Sequence, residues 1–360
     1  MDEANTTSAG SIKSTKNMGR VKAVGVVATL FGVGIFVYYV YAVGPQSVLD
    51  GIASIGFGGF LIILCLYGLK LLTRAIAWHL TVYEPHSVSI KETLPAVMIG
   101  EALSSVIPLG ILVSGTAKAL AIRRKVPIVP ALASVATENL FYSLITGLFI
   151  SFGAILFIRR YELPYPFDYF VDLVLAVILI SIVIGAAIVI RQWKWATRIC
   201  DELYKRGILT SILRNGRLHM RMFENLIFGF YRAHPKRFFP LCGLQVLFHF
   251  LGVLEVWFIL SRIGDVIPSI TAPFFLESMN RLVTVVFKLV PFLFGVDEAS
   301  AEFVVEALGI GVGMGVTLAI VRKGRVIVFA LAGFILIIKR GLKWSEVKEL
   351  QEAHAKSGNI

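Results

Sequence analysis

The chain has 360 residues, 57% hydrophobic and 16% charged, with a formal net charge of +12. Soluble domains carry about 45–50% apolar and 25% charged residues. These proportions exclude an ordinary soluble fold, and the apolar residues arrive in blocks of about twenty, enough for a helix to cross ~30 Å of hydrocarbon. The basic excess sits mainly between the blocks, where the positive-inside rule accounts for it, so nucleic acid is not an expected partner.

Residues 1–20 are rich in Ser, Thr and Lys and read as a disordered cytoplasmic tail. Val21–Val43, with Lys22 at its start, follows Lys13, Lys16 and Arg20. It is too long for a signal-peptide core and lacks a small-x-small cleavage site, so it reads as an uncleaved first span. Gly44–Ile52 has no Lys or Arg and is expected outside; a second span follows at 53–73. Residues 92–124 behave differently. Pro95 and Pro108 bracket one short apolar run, and Ile111–Ile122 is about a dozen residues, a length that suits a re-entrant helix. With Lys91 at one end and Arg123, Arg124 and Lys125 at the other, this hairpin is expected to enter and leave on the cytoplasmic side. A third span at 128–158 completes a first membrane repeat, 21–158.

An external loop and a span occupy 159–190, the span itself at 170–190. Segment 191–237 carries eleven Lys or Arg against three acids, interleaved with Trp193, Trp195, Tyr204, Phe223, Phe228 and Phe230. That mixture predicts cytoplasmic amphipathic helices on an anionic leaflet. A span at 238–261, a second broken hairpin at 273–321 and a last span at 325–340 make up the rest of a second repeat, followed by a cytoplasmic tail, 341–360. The second hairpin is interrupted by Arg281 and Lys288 and breaks at Pro291 and Gly295. In this topology Arg159, Arg160, Arg322, Lys323 and Arg325 fall outside, against the rule. The fold expected is an all-α polytopic membrane protein of about six full spans plus two re-entrant or broken hairpins. The second half repeats the first upside down, a common transporter architecture.

The candidate chemistry lies in polar residues at membrane depth, which are functional candidates by default. Glu101 and Lys118 flank the break at Pro108 and either line a polar site or lock the hairpin as a pair. Glu138 and Asn139 interrupt the third span and suit hydrogen bonding between helices. Arg281, Lys288, Pro291 and Glu298 mark the second break. Glu298, Glu302 and Glu306 recur every four residues on one helix face, and Glu298 can equally cap its helix. Glu255 and His249 are weaker candidates, the histidine reading as a packing group. Gly309, Gly311, Gly313 and Gly315 form overlapping GxxxG patterns that read as helix packing. Cys65, Cys200 and Cys242 form no CxxC pair, the histidines show no HxxxH or HExxH spacing, and P-loop and GxSxG motifs are absent. No metal or cofactor is expected, and no enzyme activity.

These motifs resemble the flippase-like membrane region of lysylphosphatidylglycerol synthases and of stand-alone membrane proteins, some associated with hopanoid or glycolipid pathways. That family carries P-x-G-x-x-x-G-E-x-x-K/R followed by a basic cluster. Pro108, Gly110 and Lys118 match at the same spacing, with Arg123 and Arg124 as the cluster; Ser114 and Gly115 stand at the Gly-Glu positions. The family's Glu-Arg pair in the third span corresponds to Glu138-Asn139, and its second motif to Pro291, Gly295 and Glu298. The resemblance implies movement of a polar-headed lipid between leaflets; Lys118, Arg281 and Lys288 suit an anionic headgroup, and the Lys/Arg distribution is expected to leave both termini on the cytoplasmic side of the cytoplasmic (inner) membrane. The resemblance also implies membrane lipids as ligands and lipid-biosynthesis proteins as partners. A membrane-embedded lipid-headgroup enzyme and a non-transporting scaffold of a lipid-biosynthetic complex are the alternatives. No soluble aminoacyl-transferase domain follows the membrane region, so lipid synthesis is not expected.

The basic segment generates a first prediction. As a peptide, residues 191–237 should bind anionic liposomes and be released at high salt, because attraction of about 1 kcal/mol per basic residue is screened beyond a Debye length. Co-sedimentation across a salt series measures this; salt-insensitive binding would mean hydrophobic docking.

Overall fold

In the computed structural model, the residues described are 34–35, 37–38, 40–82, 84–106, 110–161, 167–191, 194–206, 210–264, 268–287 and 293–340. The expected tails, most of the first span, and Pro108, Lys288 and Pro291 lie outside them. Every regular element among the described residues is helical.

The first long helix, α1, runs Pro45–Thr81. Its start at Pro45 corrects the external loop expected over 44–52: proline at the first helical position gives up no intrahelical bond. Gly56 (φ 65°, ψ 175°) breaks the helical path, a conformation open to glycine, so α1 is two arms joined at a kink. At 37 residues it is about 55 Å long, more than ~30 Å of hydrocarbon requires. Next come α2 (Ile90–Val106) and α3 (Gly110–Ala121), of 17 and 12 residues, the two arms of the first broken hairpin. The helix α4 (Ile128–Arg160) follows, then α5 (Phe167–Arg191).

Segment 191–237 contains two strongly amphipathic helices, α6 (Trp195–Lys205) and α7 (Thr210–Ala233), and a single 3-10 turn, Pro235–Arg237. The first turn of α6 is tied to α7 by Glu224, which accepts from the backbone N–H of Thr197 at 3.2 Å. Lys194, Arg198, Lys205 and Arg206 are exposed. Within one turn of Glu224, α7 packs on α4 through Phe228, Ile227 and Ala133.

The helix α8 (Phe238–Ile263) leads to α9 (Thr271–Val286) and α10 (Val296–Ala307), of 16 and 12 residues. The chain ends its described part with α11 (Met314–Lys339). The expected hairpin 273–321 is therefore shorter at its C-terminal side. A helix begins at Met314, capped by Gly313 at φ 87°, and runs unbroken through the expected last span. This removes Arg322, Lys323 and Arg325 from an external loop and buries them inside α11. The GxxxG reading is corrected with it. Gly309, Gly311 and Gly313 all have positive φ and form the turn between α10 and α11, leaving Gly315 as the close-approach glycine, pressed on the backbone of Ala301 and Glu302.

Three helices among the described residues are long and apolar enough to cross a membrane: Pro45–Thr81, Ile128–Arg160 and Pro235–Ile263. The chain is an integral membrane protein. At the centre α1 lies along α8, with α9, α4 and α11 around the pair and α2 held between α3 and α11. Ile63, Ile150, Val256, Ile259, Leu260 and Leu318 meet in the largest apolar cluster.

The two ends of the first hairpin meet. Lys125 lies 2.6 Å from Glu92, with Lys125 exposed, and Lys91 is exposed beside it. Single cysteines at positions 91 and 125 should therefore label from one membrane face with an impermeant maleimide. Labelling from opposite faces would exclude a re-entrant hairpin.

Candidate functional site

One face of α1 presents Tyr67, Lys70 and Arg74, at intervals of three and four residues, the spacing of a single helix face. Each reaches a different neighbour. Tyr67 donates to Glu101 of α2 at 2.8 Å. Lys70, with no exposed side-chain surface, has its Nζ 3.7 Å from Glu255 of α8 and 3.5 Å from Glu277 of α9. Arg74 grips Glu138 of α4 with both ends of its fork, at 3.1 and 3.0 Å, and donates to Asn139 at 3.0 Å. A planar guanidinium suits such bidentate pairing, which fixes geometry as well as charge.

The glutamates are shared. Arg281, one turn after Glu277 on α9, donates to its Oε1 at 2.9 and 2.6 Å, and Arg322 of α11 donates to its Oε2 at 2.6 Å. Arg325, one turn beyond Arg322, donates to Glu255 and lies over the Tyr67 ring, 4.2 Å from guanidinium to ring centre. Phe248 of α8 is flanked by Lys70 and Arg281, at 5.1 and 5.2 Å from its ring centre. Four helices thus meet through buried charge, which is costly to take from water and stable only with close partners. The approach of α8 to α9 depends on Gly252: a Cβ there would sit 3.0 Å from Lys70 Nζ and collide with the Glu277 carboxylate.

Two further groups adjoin this centre. Lys118 of α3 stands 4.0 Å from Glu138, and its stem passes Gly100 of α2, where a Cβ would lie 2.8 Å from its Cγ. Lys323 of α11 faces α10, with Nζ 2.6 Å from Glu298 and 3.4 Å from Asp297; Asp297 also accepts from Asn280 of α9. Glu298 accepts from the backbone N–H of Gly295 at 2.8 Å, so it both caps α10 and pairs with Lys323. Glu302 accepts from the N–H groups of Gly313 and Val316, serving the start of α11 from across the turn, while Glu306 is exposed. His249 meets Thr146 at 3.0 Å and stacks on Phe149, 4.6 Å between centres, the packing role expected.

Of the sequence candidates, Glu101, Lys118, Glu138 and Asn139 gather around Arg74 and Tyr67, Arg281 joins the centre, and Glu298 belongs to the Lys323 group. Glu101 and Lys118 take separate partners, Tyr67 and Glu138, and are not each other's lock. Sequence reasoning missed Lys70, Arg74, Arg322 and Arg325. The first two fall at the edge of a predicted span, where a cation reads as an interfacial anchor. Their spacing of four, after Tyr67, was the available signal.

Over residues 23–341 the chain matches the family described as Lysylphosphatidylglycerol synthase TM region. No curated protein and no solved structure matches it.

Two glycines of α8 give a paired test. Gly252→Ala should destabilise the protein by about 1–3 kcal/mol through overpacking against Glu277 and Lys70. Gly243→Ala on the same helix meets open space and should stabilise it by up to about 1 kcal/mol. Thermal unfolding in one detergent compares them; equal effects would contradict the close approach at Gly252.

Proposed function

The chain belongs to the family of the lysylphosphatidylglycerol synthase transmembrane region, and we propose that it moves a polar-headed, anionic lipid between the leaflets of the membrane. The observation that supports this is the largely buried network of ion pairs and hydrogen bonds in which the arms of both broken hairpins take part: Glu101 and Lys118 from the first, Glu277, Arg281, Asp297 and Glu298 from the second. A headgroup crossing hydrocarbon must exchange its hydration for protein donors and acceptors, since each unpaired polar group costs several kcal/mol there. A chain of side chains that share partners among themselves can offer that exchange stepwise.

On this reading the hairpins α2–α3 and α9–α10 are counterparts in an inverted repeat, entering from opposite faces. The termini lie in the cytoplasm, the membrane is the cytoplasmic one, and the basic surface of α6 and α7 rests on its inner leaflet. The protein acts on lipid position and makes or breaks no covalent bond. Proteins of lipid biosynthesis are its expected neighbours.

The network also indicates which cations can be removed without unfolding the bundle. Without Arg281, Glu277 keeps Lys70 and Arg322; without Lys118, Glu138 keeps Arg74. Arg281→Ala and Lys118→Ala should therefore lower the melting temperature by no more than a few degrees. In liposomes carrying fluorescent anionic lipids, each should cut translocation towards the protein-free rate. Lys118→Arg should retain part of the activity, because charge is kept while donor geometry changes. Unchanged translocation would overturn the proposal. So would a collapse in stability that Glu277→Gln rescues in the Arg281 variant, for the pair would then be only a structural lock.

A further inference from the structure

The chain turns from the amphipathic segment into the bundle at an aromatic corner. There the end of α7, the 3-10 turn and the start of α8 enclose, with α4, a cavity of about 220 Å³. Phe141 of α4 and Phe230 of α7 line it and are themselves buried. Tyr231 stacks on Phe141, 5.6 Å between ring centres, and Phe238 meets the same ring edge-on at 5.4 Å. Phe239 also lines the cavity and is 80% exposed. The apolar span that contains α8 begins at Pro235, so the corner lies at the membrane boundary, the level at which aromatic side chains collect. Positions 232–237 carry Arg232, His234, Lys236 and Arg237 and no acid. Arg237 is engaged with the end of α1, donating to the Leu80 carbonyl at 2.8 Å. Arg232 and Lys236 are exposed, each adjacent in sequence to a residue of the lining.

We propose that this corner binds one anionic phospholipid, with a stretch of acyl chain among the rings and the phosphate beside Arg232 and Lys236. Size and polarity select the chain. Apolar cavities of ~150 Å³ stay dry and admit a benzene-sized guest, whereas drug-sized ligands need ~300 Å³ or more. A cavity of about 220 Å³ therefore suits part of a flexible chain, and it is too small for a helix about 10 Å across. Charge selects the headgroup. Aromatic rings also attract quaternary ammonium groups, but the cations at 232, 236 and 237 repel one and attract phosphate. The start of α8 adds the positive end of a helix dipole. No residue of the lining belongs to the ion-pair network, and the proposal does not depend on lipid translocation. A lipid held here touches α4, α7 and α8 together and fastens the amphipathic segment to the bundle.

The test is native mass spectrometry of the purified full-length protein in a neutral detergent. The probes are dioleoyl phosphatidylglycerol, dioleoyl phosphatidylcholine and sn-glycerol 3-phosphate, which carries the phosphate without the chains. The first phosphatidylglycerol should bind about tenfold more tightly than phosphatidylcholine, as two nearby cations allow. Glycerol phosphate at the same concentration should not bind; equal binding would assign the corner to a free anion and overturn the lipid assignment.

Two variants separate headgroup from chain, and both change exposed residues, so the core is left intact. Arg232→Gln with Lys236→Gln should bring the two lipids to similar affinity by weakening phosphatidylglycerol alone. Phe239→Ala should weaken both lipids several-fold and keep their ratio. Equal affinity for the two lipids in the unaltered protein, a preference that survives loss of both cations, or lipid binding that Phe239→Ala does not move would each overturn the proposal. A dimer signal lost in Phe239→Ala would give the cavity to a second copy of the chain and overturn it as well.

Discussion

Everything in this protein is arranged around charge taken out of water. A carboxylate or guanidinium in a low-dielectric interior is tolerated only beside an opposite partner with good geometry. Here most of the partners belong to different helices. Glu277 alone is touched by Lys70 of α1, Arg281 of α9 and Arg322 of α11. Burying apolar surface between helices gives no hydrophobic gain in a membrane, because lipid tails are as apolar as leucine. Ion pairs and close packing must supply the specificity. The relative depth of α1, α8, α9 and α11 is therefore specified by a few polar atoms, and the surrounding Ile, Leu and Phe side chains fill the space those atoms define.

The same constraint governs the breaks in the backbone. A helix that starts inside the bundle exposes N–H groups that hydrocarbon cannot satisfy. At α10 this is met by Glu298, which turns back to the Gly295 N–H, and at α11 by Glu302, which reaches from the preceding helix to Gly313 and Val316. A carboxylate at a helix start is also favoured by the helix dipole. The acids near the second break thus serve backbone and cations together, which is why a regular spacing of glutamates does not translate into one uniform face.

Much of this was legible in the sequence. Apolar block lengths gave the long helices α1, α4, α5 and α8 and the positions of both broken hairpins, because span length is set by membrane thickness. The polar residues within otherwise apolar runs, Glu138 and Glu101 among them, were visible as candidates for the same reason. What could not be read was which acid meets which base. Lys118 and Glu101 are close in sequence on two arms of one hairpin, yet the pairing is decided by α1, whose Arg74 and Tyr67 arrive from elsewhere. Arg322, Lys323 and Arg325 resemble a basic loop when only local hydropathy is considered. Their burial follows from acids on α8, α9 and α10, a long-range fact with no local signature.

The kink at Gly56 divides α1 into parts with very different freedom of length. Beyond it, Lys70 and its neighbours must face their carboxylates, and each residue gained or lost in a helix turns everything downstream by about 100°. One insertion between Gly56 and Lys70 would swing the ammonium away from Glu255 and Glu277. Before the kink, the backbone at Gly56 is already off the helical path and a Cβ there would meet open space, so a change in length can be absorbed at that joint. The joint at Gly56 thereby separates the contacts of the first arm, where Gly51 lies against Thr317, from the fixed phase of the second.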